Sequence, residues 1–179
     1  MNEEVEDSDC RELLARADAV PALQAYLNDS IPLIEPMQVR VASAGIEGVG
    51  VSAPLAPNSN HIGTAFGGSL HGLATLASWG LLWLLLRERE DVSIVVRDSR
   101  MRYLAPARGE LEAFSPTPNP GILNQFFRGM DRRGKAGIEL TARVESEGTL
   151  CADFEGGFVA VRARDFNGGG SKTGSGQDR

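Results

Sequence analysis

The chain has 179 residues, of which 42% are hydrophobic and 23% charged, and this is enough for one globular domain with a buried core. The net charge is −6, and most of it comes from the first 12 residues, which hold six acids and one base. The rest of the chain is nearly neutral and has no basic stripe, so a nucleic-acid-binding protein is not expected.

The scarcity of cysteine and histidine narrows the chemistry further. Cys10 and Cys151 are the only cysteines and His61 and His71 the only histidines, and each pair is scattered along the chain. No charged-then-apolar signal peptide is visible at the start, so we expect a reduced, cytoplasmic protein. Neither a metal site nor any other cofactor is expected.

The two ends differ in composition from the middle. Residues 1–10 are acidic and residues 165–179 are rich in glycine, which predicts disorder at both ends of a single domain over residues 11–164. Apolar residues at helical spacing predict a helical N-terminal region over 11–28, with a break near Pro21. We expect Pro21 in a first turn, and Pro32 and Pro36 to end the helical region.

Alternating apolar and polar residues then predict an antiparallel hairpin over 37–44 and 48–55. A loop is expected over 57–65 and a long central helix over about 66–89. Further strands are predicted at about 93–103, 109–115, 136–146 and 150–162, with a hairpin turn at Glu147-Gly148 and a short helix over 120–130 whose Phe126 and Phe127 point inward.

The central helix is apolar on every side over residues 79–86. Polar Ser78, Thr75 and His71 interrupt the run on one side and Arg87 on the other, so a membrane span of about 20 residues is the weaker interpretation. A helix without a polar face is usually enclosed by its own protein. The pattern therefore predicts an α+β fold in which a curved antiparallel sheet wraps around one long helix.

The segment HIGTAFGGSLHG, residues 61–72, places Gly67 and Gly68 where a polar loop becomes the central helix. Free N–H groups at a helix start attract carbonyl oxygens and oxyanions, and glycine lets a ligand approach them. This predicts a site that handles a carbonyl group. The alternative is that both glycines only allow the helix and the sheet to pack closely.

Several segments resemble a hotdog-fold thioesterase family, the one also found as the C-terminal domain of a bacterial acetyltransferase-like fusion protein. The resemblance covers about residues 21–162, and its specific part is 58–70. The matching segments are IPL at 31–33, PNSN at 57–60, GTAFGGSL at 63–70, LASWG at 76–80 and YLAP at 103–106.

The resemblance implies a hotdog fold, a homodimer or a dimer of dimers with sheets joined edge to edge, and a substrate tunnel beside the central helix. It also implies hydrolysis of an acyl-CoA or acyl-carrier-protein thioester, as in fatty acid metabolism. A non-catalytic acyl-binding module is the alternative. A hotdog dehydratase is less attractive because no His is paired with an acid in the expected order.

The resemblance also implies site residues. Asn60 corresponds to the loop Asn of the phenylacetate-pathway hotdog thioesterases, but their helical catalytic Asp is replaced by Thr75. The hypothesis is therefore that Gly67 and Gly68 hold the carbonyl while Asn60 orients water and Thr75 assists. Substrate contacts are expected from the matched residues Asn58, Gly63, Thr64, Phe66 and Ser69. Both Asn residues have a structural alternative as turn or cap residues.

Basic residues and histidines complete the candidates. His61 or His71 could replace the missing carboxylate as a base, although a lone His is more often structural. Arg100 and Arg102 are candidates for the phosphates of coenzyme A, by analogy with hotdog enzymes. We favour the alternative for this strand, with Arg97 on its other face, which is a solvated face with cross-strand ion pairs.

Overall fold

The structure is a computed structural model that describes residues 12–89 and 91–162. The predicted disordered ends, 1–10 and 165–179, lie outside these residues. After a helical turn over 12–15, the elements are α1 (Ala19–Ser30), α2 (Ile34–Met37), β1 (Arg40–Gly45), β2 (Gly48–Ala53), a 3-10 turn (Ala56–Asn58), α3 (Gly67–Leu86), β3 (Val92–Tyr103), β4 (Leu111–Pro116), α4 (Pro120–Arg133), β5 (Lys135–Ser146) and β6 (Thr149–Arg162).

The strands form one six-stranded antiparallel sheet in the order β1-β2-β4-β5-β6-β3. The predicted α+β fold, a curved sheet around one central helix, is confirmed. Glu147 and Gly148 join β5 to β6 with positive φ angles of 51° and 73°, as a tight hairpin turn requires. Phe126 and Phe127 of α4 are both buried, as predicted.

The central helix α3 makes its main contacts with five of the six strands, β2 to β6. Leu73, Leu81, Leu82 and Leu84 have no exposed surface. Its 20 residues are long and apolar enough to cross a membrane, but 67% of its most apolar window is buried inside the chain. Enclosure by its own sheet accounts for this composition.

The predictions for two prolines in the N-terminal region, Pro21 and Pro36, fare differently. Helix breaks off after residue 15 and restarts at Ala19, so Pro21 lies in the first turn of α1, as predicted. The prediction that Pro36 ends the helical region is wrong, because Pro36 lies inside the short helix α2. As the third residue of that helix it has no N–H to pair within the first turn, so the helix tolerates it.

The two edges of the sheet are protected to different extents. At β1, the side chain of Gln24 from α1 accepts from Val41 N at 2.7 Å and donates to Val39 O at 3.4 Å, and so occupies part of the edge. At the other edge, β3 pairs only with β6, and its side chains are mostly exposed, including Val96 and Tyr103. Among the described residues no element covers this exposed strand of 12 residues, so it forms an open edge there.

The buried thiol of Cys151 gives a first prediction. Burial raises the pKa of this thiol because the thiolate loses hydration, and thiol reagents attack the thiolate. In a Cys10→Ser variant, the folded protein should react with a chromogenic disulfide reagent far more slowly than the same protein in denaturant. The rate in the folded protein should still be low at neutral pH and should rise only above the usual thiol pKa. Equally fast labelling before and after unfolding would contradict it.

Candidate active site at the start of the central helix

The first turn of α3 is uncapped. Phe66 precedes the helix in extended conformation, and its carbonyl accepts from the N–H groups of Ser69 and Leu70. Within residues 12–89 and 91–162, neither the N–H of Gly67 nor that of Gly68 has an acceptor. Two free donors therefore lie at the positive end of a 20-residue helix dipole, where an anionic oxygen is stabilised.

The two glycines are needed for different reasons. A Cβ on Gly67 would lie 3.3 Å from the ring of Tyr103, whose hydroxyl donates to Gly67 O at 3.1 Å. A Cβ on Gly68 would overlap the ring of Phe66, which is 58% exposed and free to turn aside. Close packing thus explains Gly67. At the exposed Gly68, the missing side chain keeps the amide open to solvent.

Asn58 anchors the loop before the helix. Its side chain is 1% exposed and donates from Nδ2 to Met37 O at 2.9 Å and to Pro54 O at 2.8 Å. Its own backbone carbonyl accepts from Phe66 N at 2.7 Å. The predicted substrate contact of Asn58 is not available to a buried side chain in this conformation, and the structural alternative describes its contacts.

Asn60 is committed to the same loop. Its Nδ2 donates to Thr64 Oγ1 at 2.9 Å and to Ala65 O at 3.2 Å, and its Oδ1 accepts from the N–H groups of Ile62 and Thr64. These four bonds use the full capacity of a side-chain amide. Gly63 completes the turn with a positive φ of 77°. Asn60 therefore fixes the loop that leads into the helix, and its role in orienting water stays a prediction.

Thr75 and His71 lie further along α3. Thr75 is half-buried, and its hydroxyl donates to His71 O at 2.9 Å. It is seven residues from Gly68, or about 10 Å along the helix axis. His71 is one turn from the glycines, and its Nε2 lies 2.9 Å from Ser99 Oγ. His61 is exposed in the loop.

The predicted arginines lie on the other side of the sheet. Ser99 and Tyr103 of β3 contact α3, so the alternating positions Arg100 and Arg102 face away from it. Both are exposed and do not join the glycines within this chain.

The cross-strand ion pair expected on β3 is present, but the placement of Arg97 is wrong. A bulge between Val96 and Asp98 puts Arg97 and Asp98 on one face. Arg97 bonds to Asp98 and, across Gly157, to Glu139. The two carboxylates raise the pKa of Arg97, so its charge is fixed in this network.

No site role was predicted for Tyr103, which the structure places against Gly67. Its hydroxyl bonds the first carbonyl of α3 while its ring is 57% exposed beside the free amides. A signal was present in the sequence, because Tyr103 begins the YLAP segment that resembles the family.

Comparison with known proteins shows the family to which the chain belongs. Residues 20–162 match the model of the family described as "Putative thioesterase (yiiD_Cterm)". The chain belongs to this family. Its fold is the hotdog fold of the thioesterases that it resembles in structure.

Three solved structures illustrate the similarity. A thioesterase-assigned protein from Shewanella oneidensis is 34% identical over 82% of this chain and 99% of its own, with a TM-score of 0.69. A protein of unknown function from Chlorobaculum tepidum is 29% identical over 84% of this chain and 99% of its own, with a TM-score of 0.78. A mutant of a phenylacetic acid degradation protein from Thermus thermophilus is 26% identical over 73% of this chain and 98% of its own, with a TM-score of 0.51.

The two loop asparagines predict a graded loss of stability. Asn58→Ala should cost about 2–4 kcal/mol, because the buried carbonyl of Met37 and the partly buried carbonyl of Pro54 lose their donor. Asn60→Ala should cost about 1–2 kcal/mol, because its bonds are partly hydrated. Urea unfolding followed by tryptophan fluorescence measures both. Ser59→Ala, which removes an exposed hydroxyl, is the control and should change little. An Asn58→Ala variant as stable as the control would refute the anchor role.

Proposed function

We propose that the protein hydrolyses an acyl thioester carried by coenzyme A or by an acyl carrier protein, at the start of α3. The observation that carries the proposal is the pair of free N–H groups at Gly67 and Gly68 in a chain of a thioesterase family. Two donors there suit an oxygen that gains negative charge when water attacks the carbonyl.

The proposed reaction forms no covalent bond between the substrate and the protein. Water adds to the carbonyl carbon and loses a proton, and the carbonyl oxygen becomes an oxyanion held by the N–H groups of Gly67 and Gly68. Collapse of this intermediate breaks the carbon–sulfur bond, the electron pair leaves with the sulfur, and the resulting thiolate takes up the proton that water lost. The products are a carboxylic acid and a free thiol.

The proposed acceptor of the proton from water is His71. His71 is the titratable side chain nearest the glycines on α3, and helical side chains lean towards the N-terminus. Thr75 lies about 10 Å from Gly68 along the same helix, too far to hold water for attack on a carbonyl there. Assistance by Thr75 therefore requires a second copy of the chain. Asn60 contributes by fixing the loop that presents the amides.

A second candidate function is acyl binding without hydrolysis. Residues 67–87 contain no acid at all, and the amide of Asn60 is fully used within its loop. A site with carbonyl donors and no strong base would bind a thioester and release it unchanged. Turnover measurements separate the two functions.

Gly68→Ala tests the amide site. The added methyl group displaces the Phe66 ring and crowds the amide, so kcat/KM on acyl-CoA esters should fall by about 100-fold, the usual effect of losing one oxyanion donor. Release of free coenzyme A is followed with a thiol-trapping dye over a series of chain lengths.

The matched control for that experiment is Gly121→Ala. Gly68 and Gly121 are each the second residue of a helix, α3 and α4 respectively, so both changes add a methyl group at the same position of a first turn. The control should keep wild-type kcat/KM. Equal activity in both variants would refute the amide site, and no turnover by the wild type on any ester would refute hydrolysis and favour binding.

The proposal includes a homodimer formed through the exposed edge strand β3. Val96 is 42% exposed on this strand, and the opposite edge is partly occupied by Gln24. Val96→Lys should shift the protein from dimer to monomer in sedimentation velocity, because a charge on an edge opposes strand pairing. Ile122→Lys, on α4 and equally exposed at 42%, is the control and should leave the dimer intact. A wild-type monomer at micromolar concentration would contradict the proposal.

A further inference from the structure

One face of α3 forms the floor of a groove. Gly68, Gly72 and Thr75 are spaced by four and three residues, so they lie on one face of the helix, and none of them is fully buried. The floor begins at the exposed amide of Gly68 and carries no side chain larger than threonine up to Thr75. It extends about 10 Å along the helix axis.

The β3 strand forms one wall of this groove, because it runs alongside α3 in the opposite direction. Three contacts in succession show this: the Tyr103 hydroxyl donates to Gly67 O, Ser99 Oγ lies 2.9 Å from His71 Nε2, and Trp79 Nε1 donates to Ile94 O at 3.3 Å.

Helices α1 and α2 form the other wall. The terminal methyl group of Met37, from α2, would lie 3.8 Å from a Cβ on Gly72. Tyr26, from α1, stacks on Trp79 with ring centroids 5.7 Å apart. Both walls therefore reach the same helix face from opposite sides.

Aromatic rings close the groove at its far end. Trp79 follows Thr75 on the same helix face, and its indole ring is held by Tyr26 on one side and by the carbonyl of Ile94 on the other. Helical side chains lean towards the N-terminus, so the indole covers the surface next to Thr75. Trp83, one turn further on, packs behind it on Tyr26 at 4.7 Å.

A half-open cleft of 470 Å³ lies behind the rings. It is lined by Tyr26, Trp79 and Trp83, by residues 92–94 of β3, and by Leu86, Arg87, Arg89 and Asp91 at its outer end. No residue from 67 to 75 lines it. Trp79 therefore separates this cleft from the groove that begins at Gly68.

We infer that Trp79 sets the maximum acyl-chain length, and that the substrate is a thioester of a short or medium-chain acid. This inference rests on the proposed function, because it places the carbonyl at Gly67 and Gly68. An extended chain advances about 1.2 Å per bond, so a floor of about 10 Å accommodates about eight carbons. A longer chain meets the indole ring, which its two partners hold in place.

The experiment uses an even-numbered acyl-CoA series from acetyl to palmitoyl with the full-length wild type, Trp79→Ala and Trp83→Ala. In the wild type, kcat/KM should rise by up to about fourfold per methylene as far as octanoyl and fall beyond it. Trp79→Ala should join the groove to the cleft and raise kcat/KM on dodecanoyl-CoA at least tenfold. Trp83→Ala loses a similar contact with Tyr26 but leaves Trp79 in place, so its length limit should stay at octanoyl.

Binding of S-alkyl-CoA thioethers, which cannot be hydrolysed, is measured by calorimetry with the same three proteins. This binding assay tests the chain-length limit independently of the proposed hydrolysis. If there is no turnover but the length limit for thioether binding shifts only in Trp79→Ala, hydrolysis is refuted and the chain-length inference holds. If the wild type turns over esters and its limit is the same in Trp79→Ala, the inference is refuted and hydrolysis stands.

Two further results are decisive. If no thioether binds the wild type at any length, the inference is refuted. If Trp79→Ala does not fold, Trp79→Phe replaces it; this variant keeps an aromatic ring of smaller size and should shift the limit by about two carbons. An unchanged limit in a folded Trp79→Phe variant overturns the inference.

Discussion

Enclosure of a helix that has no polar face is the constraint on which this structure depends. The 20 residues of α3 bring 12 buried side chains or backbone positions into the core, and no surface of this helix can be left to water at low cost. The sheet therefore has to curve around it, and α1 has to cover much of what the sheet leaves open. Leu23 of α1 packs so closely on Gly80 that a Cβ there would lie 2.9 Å from it. The same burial that stabilises the domain leaves only one narrow face of the helix accessible.

That accessible face and the free amides belong to one arrangement. Because α3 is held along its length, its first turn is fixed relative to the loop before it, and Asn58 and Asn60 fix the loop in turn. Donors that are held in place before the substrate arrives need no reorganisation when negative charge develops. The polar side chains of the loop thus hold the first turn from behind, and in the proposed function its backbone N–H groups are what the substrate meets. This division explains how a helix without an acid can still offer a place for a carbonyl oxygen.

Sequence patterns predicted the architecture well and the roles of individual side chains less well. Periodicity and the Glu147-Gly148 turn located the strands and the central helix, because burial acts on the same spacing that the sequence displays. The bulge after Val96 was not predictable, since one extra residue in a strand has no compositional signature, and it moved Arg97 to the face of Asp98. The four bonds of Asn60 also depend on the loop conformation, which the residue type alone does not specify. The role of Trp79 needed the partner Tyr26, which is 53 residues away in the sequence.

Gln24 has a consequence for how far an assembly of this chain can grow. Its amide bonds to Val39 O and Val41 N and so occupies part of the β1 edge, which leaves β3 as the more open edge among the described strands. Two copies that meet through identical edges use up both open strands, and each outer end of the joined sheet then carries its own glutamine. Such pairing is self-limiting, whereas a sheet with two open edges could add copies without end and form a filament. In the proposed dimer, Gln24 would therefore oppose the addition of a third copy at either outer edge.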